Sequence, residues 1–168
     1  VSRLCDVTTG EVRTAGRAIY TVSPDGTWAA TTDFRRLNDM RPGYGYPGLA
    51  DPNADVLAPE DVGVWRVDLA GGGDELILPV SEAAKLPFPG GALAGCKHYF
   101  NHLLISPDGG RIELLHRWKV PGRKGWQTRM LTVAPDGTDL RVVDDSGLAS
   151  HFIWDDPEHI LVACKATG

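Results

Sequence analysis

The chain has 168 residues, a net charge of −5, and 20 glycines and 12 prolines beside five tryptophans. An acidic balance excludes a broad nucleic-acid surface, which needs a concentrated basic face; no apolar run reaches the length of a membrane span. Three cysteines without short paired spacing argue against a disulfide framework or a zinc knuckle, and are read as small buried hydrophobes.

In chain order, "SRLCDVTTGEVRTA" at 2–15 reads as strand, Gly/Thr turn, strand. "IYTVSPDGTWAATTDFR" at 19–35 is a second hairpin on a Ser-Pro-Asp-Gly turn, where Pro presets φ and Gly supplies positive φ. Residues 36–62 form a Pro/Gly/Tyr-rich insertion. Its "RPGYGYPG" offers Arg41, Tyr44 and Tyr46 for stacking, which argues for an ordered loop. "VWRVDLAGGGDELIL" at 64–78 is a third hairpin, followed at 79–97 by a connection whose "SEAAKL" is expected to make one helical turn. "HLLISPDGGRIELLHRW" at 102–118 repeats the second hairpin with SPDG in register, and "TRMLTVAPDGTDLRVV" at 128–143 repeats the third. "SHFIWDDPEHILVAC" from 150 repeats the second hairpin again with a degraded turn.

One repeating unit is therefore four antiparallel strands A-B-C-D, the blade of a β-propeller. The expected architecture is all-β, with about three blades: the end of one at 1–15, a second at 16–81 carrying the 36–62 insertion, a third at 98–145, and the start of a fourth at 148–168. Propellers close with about four to eight blades. The chain starts at Val1 with no initiator Met, so it is expected to be a partial ring, completed by the rest of a longer parent or by self-association. No membrane partner is expected, and the compartment stays open between cytoplasm and periplasm.

Strand A lines the channel of a propeller, which gives the histidines a geometric meaning. His102 and His151 hold equivalent repeat positions, His116 ends a strand B with Arg117 after it, and Arg129 starts a strand C. Read as a regular hairpin, residues 102 and 116 pair across the turn, His151 approaches from the next strand A, Arg129 lies next to them, and His98 or Tyr99 sits at the rim. Trp118, Trp126 and Trp154 are expected in packing between blades, with Trp126 alternatively an exposed stacking platform; His159 is expected in solvent. His116 as base, with Arg117 or Arg129 holding a carboxylate, would suit proton abstraction next to an acid group. Alternatively His102, His116 and His151 would ligate a metal ion. A third reading leaves the histidines as hydrogen-bonding scaffold between blades.

The SPDG blades resemble TolB-like and WD40-like propeller repeats. Over about residues 98–164, "NHLLISPDG…LLHRW…TRM…DGTDL…SHFIWDD" resembles the oligogalacturonate-lyase-like propellers. That resemblance implies a seven-bladed parent, β-elimination of uronate oligosaccharides, and a divalent metal such as manganese held mostly by histidines, with a histidine and an arginine acting near the scissile sugar. On this chain it would assign the metal to His102, His116 and His151. Catalysis would fall to His116, Arg117 and Arg129, and binding of an acidic oligosaccharide to Arg41, Tyr44, Tyr46, His98, Tyr99 and Trp126. The alternative is a non-catalytic propeller that binds a glycan or a protein through the same face.

Overall fold

A computed structural model describes residues 1–91 and 93–165. The chain is all-β, with 40% strand and 8% helix, in four antiparallel sheets, none of them closed. The first sheet is β1 (Arg3–Cys5) with β2 (Val12–Thr14). The second runs β3 (Thr21–Val22), β4 (Trp28–Thr31), β5 (Gly63–Asp68), β6 (Asp74–Pro79), each strand beside its sequence neighbour. The third repeats that order with β7 (Lys97–Ile105), β8 (Ile112–Lys119), β9 (Gln127–Val133) and β10 (Arg141–Gly147). A last pair, β11 (Ser150–Trp154) and β12 (Ile160–Ala163), forms the fourth. Every expected strand pair is present; the end of the fourth unit at 166–168 and Ala92 in the 79–97 connection lie outside the described residues.

The repeated turn owes its shape to side-chain chemistry. In both SPDG copies the glycine N–H donates to the serine carbonyl at 2.9 Å, and the serine hydroxyl bonds the aspartate carboxylate at 2.6 Å, Ser23 to Asp25 and Ser106 to Asp108. Gly26 and Gly109 sit at φ 70° and 75°, where a side chain would strain the turn. Those carboxyls are held below their ordinary range, chiefly by the serine hydroxyl bond.

The main core lies between the second and third sheets. Trp28, Ala30, Val64 and Leu78 meet Phe100, Leu114, Leu131 and Val133, all nearly or wholly buried. Each such aliphatic side chain contributes roughly 1.5–3 kcal/mol through burial. A smaller cluster of Leu115, Met130 and Ala149 meets Phe152, Ile160 and Val162 of the fourth sheet. The cysteine expectation holds only for Cys96; Cys5 and Cys164 are exposed, and all three are free.

The insertion after β4 is not simply a loop. It begins with helix α1 (Phe34–Met40), capped by Asp33, whose carboxylate accepts from the Arg35 and Arg36 N–H groups. Leu37 and Met40, three residues apart, bury one face against Tyr99. Arg36 is buried and fastens the 51–57 segment of the insertion to β7. It donates to the carbonyls of Asn53, Leu57 and His98 and pairs with the Asp51 carboxylate at 3.2 Å. The expected helical turn in the other connection is α2 (Val80–Lys85). Among the described residues no helix is long and apolar enough to cross a membrane.

Candidate functional site

Strand alternation divides the side chains of the third sheet into two faces with opposite chemistry. Toward the second sheet and α2, His98 pairs with Trp118 and Phe100 with His116 across β7–β8, and Arg129 lies opposite His116 on β9. His98, His116, Trp118 and Arg129 are all buried. Arg129 Nε donates to His116 Nδ1 at 3.0 Å, and His116 Nε2 meets His98 Nδ1 at 2.9 Å. A guanidinium only donates. His116 Nδ1 is therefore an acceptor, its proton sits on Nε2, and it donates in turn to His98. Arg129 spends its other N–H groups on the carbonyls of Ala83, Leu86 and Pro87, tying the end of α2 to the sheet.

Burial keeps both imidazoles of this face neutral. It holds the His98 pKa down to about 4, with Arg129 adding to the effect and a hydrogen bond to the Leu93 backbone opposing it. Burial, then Arg129 and His98, hold His116 well below its ordinary value. Burial also lowers Arg129 to about 10, leaving it charged at neutral pH.

The other face carries Tyr99 opposite Arg117, with Thr128 beyond it, then Asn101 opposite Leu115, and Glu113 opposite Thr132. Here the Thr132 hydroxyl accepts from Arg111, but several other polar atoms lack partners. Among the described residues, all the buried side-chain nitrogen and oxygen atoms without a hydrogen bond belong to this face: the Tyr99 hydroxyl, the Asn101 amide, the Glu113 carboxyl and Arg117 Nε and Nη1. Burial raises Glu113 to about 8, so its carboxyl is mostly protonated at neutral pH. It raises the Tyr99 phenol and lowers Arg117, and each opposes the other's shift through charge and a side-chain contact whose geometry falls short of a hydrogen bond.

Where Arg117 reaches the end of this face, a pocket of about 430 Å³ opens between the third and fourth sheets and the insertion. Arg41, Tyr44, His102, Arg117, Trp126 and His151 line it together with the 147–150 segment, and among the described residues no carboxylate does. Arg41, at the C-cap of α1, stacks 3.6 Å above the Tyr44 ring and 4.7 Å from that of Trp126. Arg117 approaches the same indole at 5.6 Å. Burial holds His102 down to about 4, with Arg117, Arg41 and His151 adding to it in that order. The walls thus present two guanidiniums, neutral His102, His151 and two aromatic faces.

The structure corrects several sequence expectations. His102 does not pair with His116. The strands leave the turn with Ile105 opposite Ile112, a register that already sets residue 102 across from Leu115, and a β-bulge between Asn101 and Leu104 moves the pairing one residue further, so that His116 faces Phe100 and His102 is thrown out at φ 52°. His116 and Arg129 stand on the packed face with their nitrogens committed to protein partners, away from the pocket. His98 and Tyr99 are buried rather than at a rim. Tyr46 stacks on Phe34 at 4.9 Å and does not line the pocket. Trp118 and Trp154 are packed, Trp126 is 38% exposed as a platform, and His159 faces solvent against Asp156.

The three-histidine metal set does not assemble. His102 and His151 share the pocket, but both ring nitrogens of His116 are engaged elsewhere, and among the described residues no three His, Cys, Asp or Glu side chains converge on a metal position. Sequence reasoning missed Tyr20, Arg36, Asn101 and Glu113. A signal for the insertion was present in Asp33 followed by Phe34, Leu37 and Met40 at helical spacing.

No protein-family model matches the chain, no curated protein matches its sequence, and no solved structure matches its fold.

Proposed function

We propose that the four sheets are blades of a β-propeller, and that the pocket between the third and fourth binds an acidic oligosaccharide and cleaves it by β-elimination. The strand counts of two, four, four and two support the blade reading, as does the same antiparallel order in both complete sheets. The remaining blades would come from a longer parent or from a second copy.

The observation that carries the ligand assignment is Arg117: a guanidinium 3% exposed, with two nitrogens, Nε and Nη1, free of hydrogen bonds, in a pocket where no described residue supplies a carboxylate. A buried cation left unpaired is unfavourable, and a ligand carboxylate supplies the missing partner. Arg41 adds a second positive charge, and the exposed Trp126 indole suits the apolar face of a sugar ring. A uronate combines the two.

With the carboxylate held by Arg117, the proton on the carbon next to it becomes acidic, because the guanidinium stabilises the enolate-like charge. His102, kept neutral by burial, or alternatively His151, takes that proton. The electron pair forms the carbon–carbon double bond as the glycosidic C–O bond breaks; the departing oxygen takes a proton from water, and the imidazolium returns its proton to the solvent. The exposed Tyr44 and Trp126 equally favour the second reading, a non-catalytic pocket that binds an acidic glycan and releases it unchanged. Incubation with a panel of uronate oligosaccharides, followed by ultraviolet absorbance and mass spectrometry, separates them. Unsaturated products are expected; binding without product leaves the second reading, and neither binding nor product removes both.

A further inference from the structure

His102 is one of two residues other than glycine with positive φ among the described residues, and it lines the pocket. Histidine tolerates this region more readily than a branched side chain, but such conformations persist only where the surroundings enforce them. The enforcing contact comes from far along the chain. The His102 backbone N–H donates to the Tyr20 hydroxyl at 3.0 Å, across 82 positions of sequence. Tyr20 is itself fixed, because its ring lies 5.6 Å from that of Phe34, nearly parallel, and Phe34 stacks in the same way on Tyr46 at 4.9 Å. Phe34 opens α1, whose far end places Arg41 in the pocket.

We propose that Tyr20 is a positioning residue: its hydroxyl, held by the Phe34–Tyr46 stack, fixes the bulge that aims the His102 side chain into the pocket. One helix then sets two walls of the site. Its first residue steadies Tyr20 and through it His102, and its C-cap supplies Arg41. The sequence offers a reason for the aromatic content of the insertion: Tyr44 lies against Arg41, while Tyr46 closes the stack from outside. The role in binding rests on the pocket being the uronate site proposed above; the role in holding His102 does not.

The test uses Tyr20→Phe, which deletes the hydroxyl and keeps the stacked ring, in the full chain. Imidazole and backbone NMR resonances are followed first without ligand and then with digalacturonate. The His102 ring and amide signals are expected to shift, and exchange of the His102 amide to accelerate by about tenfold or more as its acceptor is lost. His98 and His116 should stay in place. Affinity for digalacturonate is expected to fall by about tenfold. Tyr46→Leu, which loosens the stack from its exposed end, should move the same His102 signals by less. Unchanged His102 signals and amide exchange in Tyr20→Phe overturn the proposal, as does a uniform shift of all the imidazoles, which marks general loosening. If the His102 signals move as expected but the wild type does not bind digalacturonate, the positioning role stands and the uronate reading falls.

Discussion

Arg129 and Arg117 lie on neighbouring strands of one sheet, both buried, and the molecule treats them oppositely. Arg129 faces α2 and gives its N–H groups to His116 and three carbonyls, whereas Arg117 faces the pocket with Nε and Nη1 unpartnered. The histidines divide likewise: His98 and His116 hold each other on the packed face, and His102 and His151 stand at the pocket. Residue type and depth alone therefore do not mark function. What separates the two faces is that, among the described residues, the buried polar side-chain atoms without a partner lie on only one of them.

The largest effect should follow from breaking the satisfied side. Arg129→Met leaves His116 Nδ1 and the carbonyls at the end of α2 without donors, and should lower stability by about 3–5 kcal/mol in denaturant melts. Next comes Glu113, whose carboxyl is mostly neutral in the fold and ionised in the unfolded chain above its ordinary value near 4.5. A raised pKa means stability present at acid pH and lost as pH rises from about 4.5 through about 8. Glu113→Gln should thus be more stable than wild type at pH 8.5, on the order of 2 kcal/mol, with the gain gone at pH 4. A smaller, opposite trend is expected from His102. Its pKa is lowered to about 4, so the unfolded chain takes a proton first and stability falls as pH drops from 6.5 toward 4; His102→Gln should flatten part of that slope in thermal melts. The smallest change in stability is expected for Trp126→Ala, within about 0.5 kcal/mol as a surface substitution, with weakened sugar binding in calorimetry.

The sequence made some of this arrangement readable and concealed the rest for specific reasons. The SPDG turns carry their own hydrogen-bond chemistry in four residues, so the hairpins at 19–31 and 102–118 and their repetition were legible. Arg41, Tyr44, Trp126, His102, Arg117 and His151 were all singled out, and they share the pocket. His116 stands apart from them because the turn sets Ile105 opposite Ile112, which puts residues 102 and 116 on opposite faces before the bulge shifts the register by one more, and nothing local to "NHLL" specifies a left-handed His102 when the group that captures its N–H is Tyr20. Arg129 looked free because its partners are backbone carbonyls in the 79–97 connection, which the residue types there do not advertise. The same blindness hid Arg36.

The central claim is that the unpartnered face binds the ligand and the satisfied face holds the fold. Calorimetric titration of Arg117→Met with digalacturonate, with thermal melting alongside, tests it most directly. Methionine keeps much of the buried stem and removes an uncompensated charge. Binding heat should vanish while the melting temperature stays within a few degrees of wild type or rises. A melting temperature that collapses while digalacturonate still binds with wild-type affinity would contradict the account.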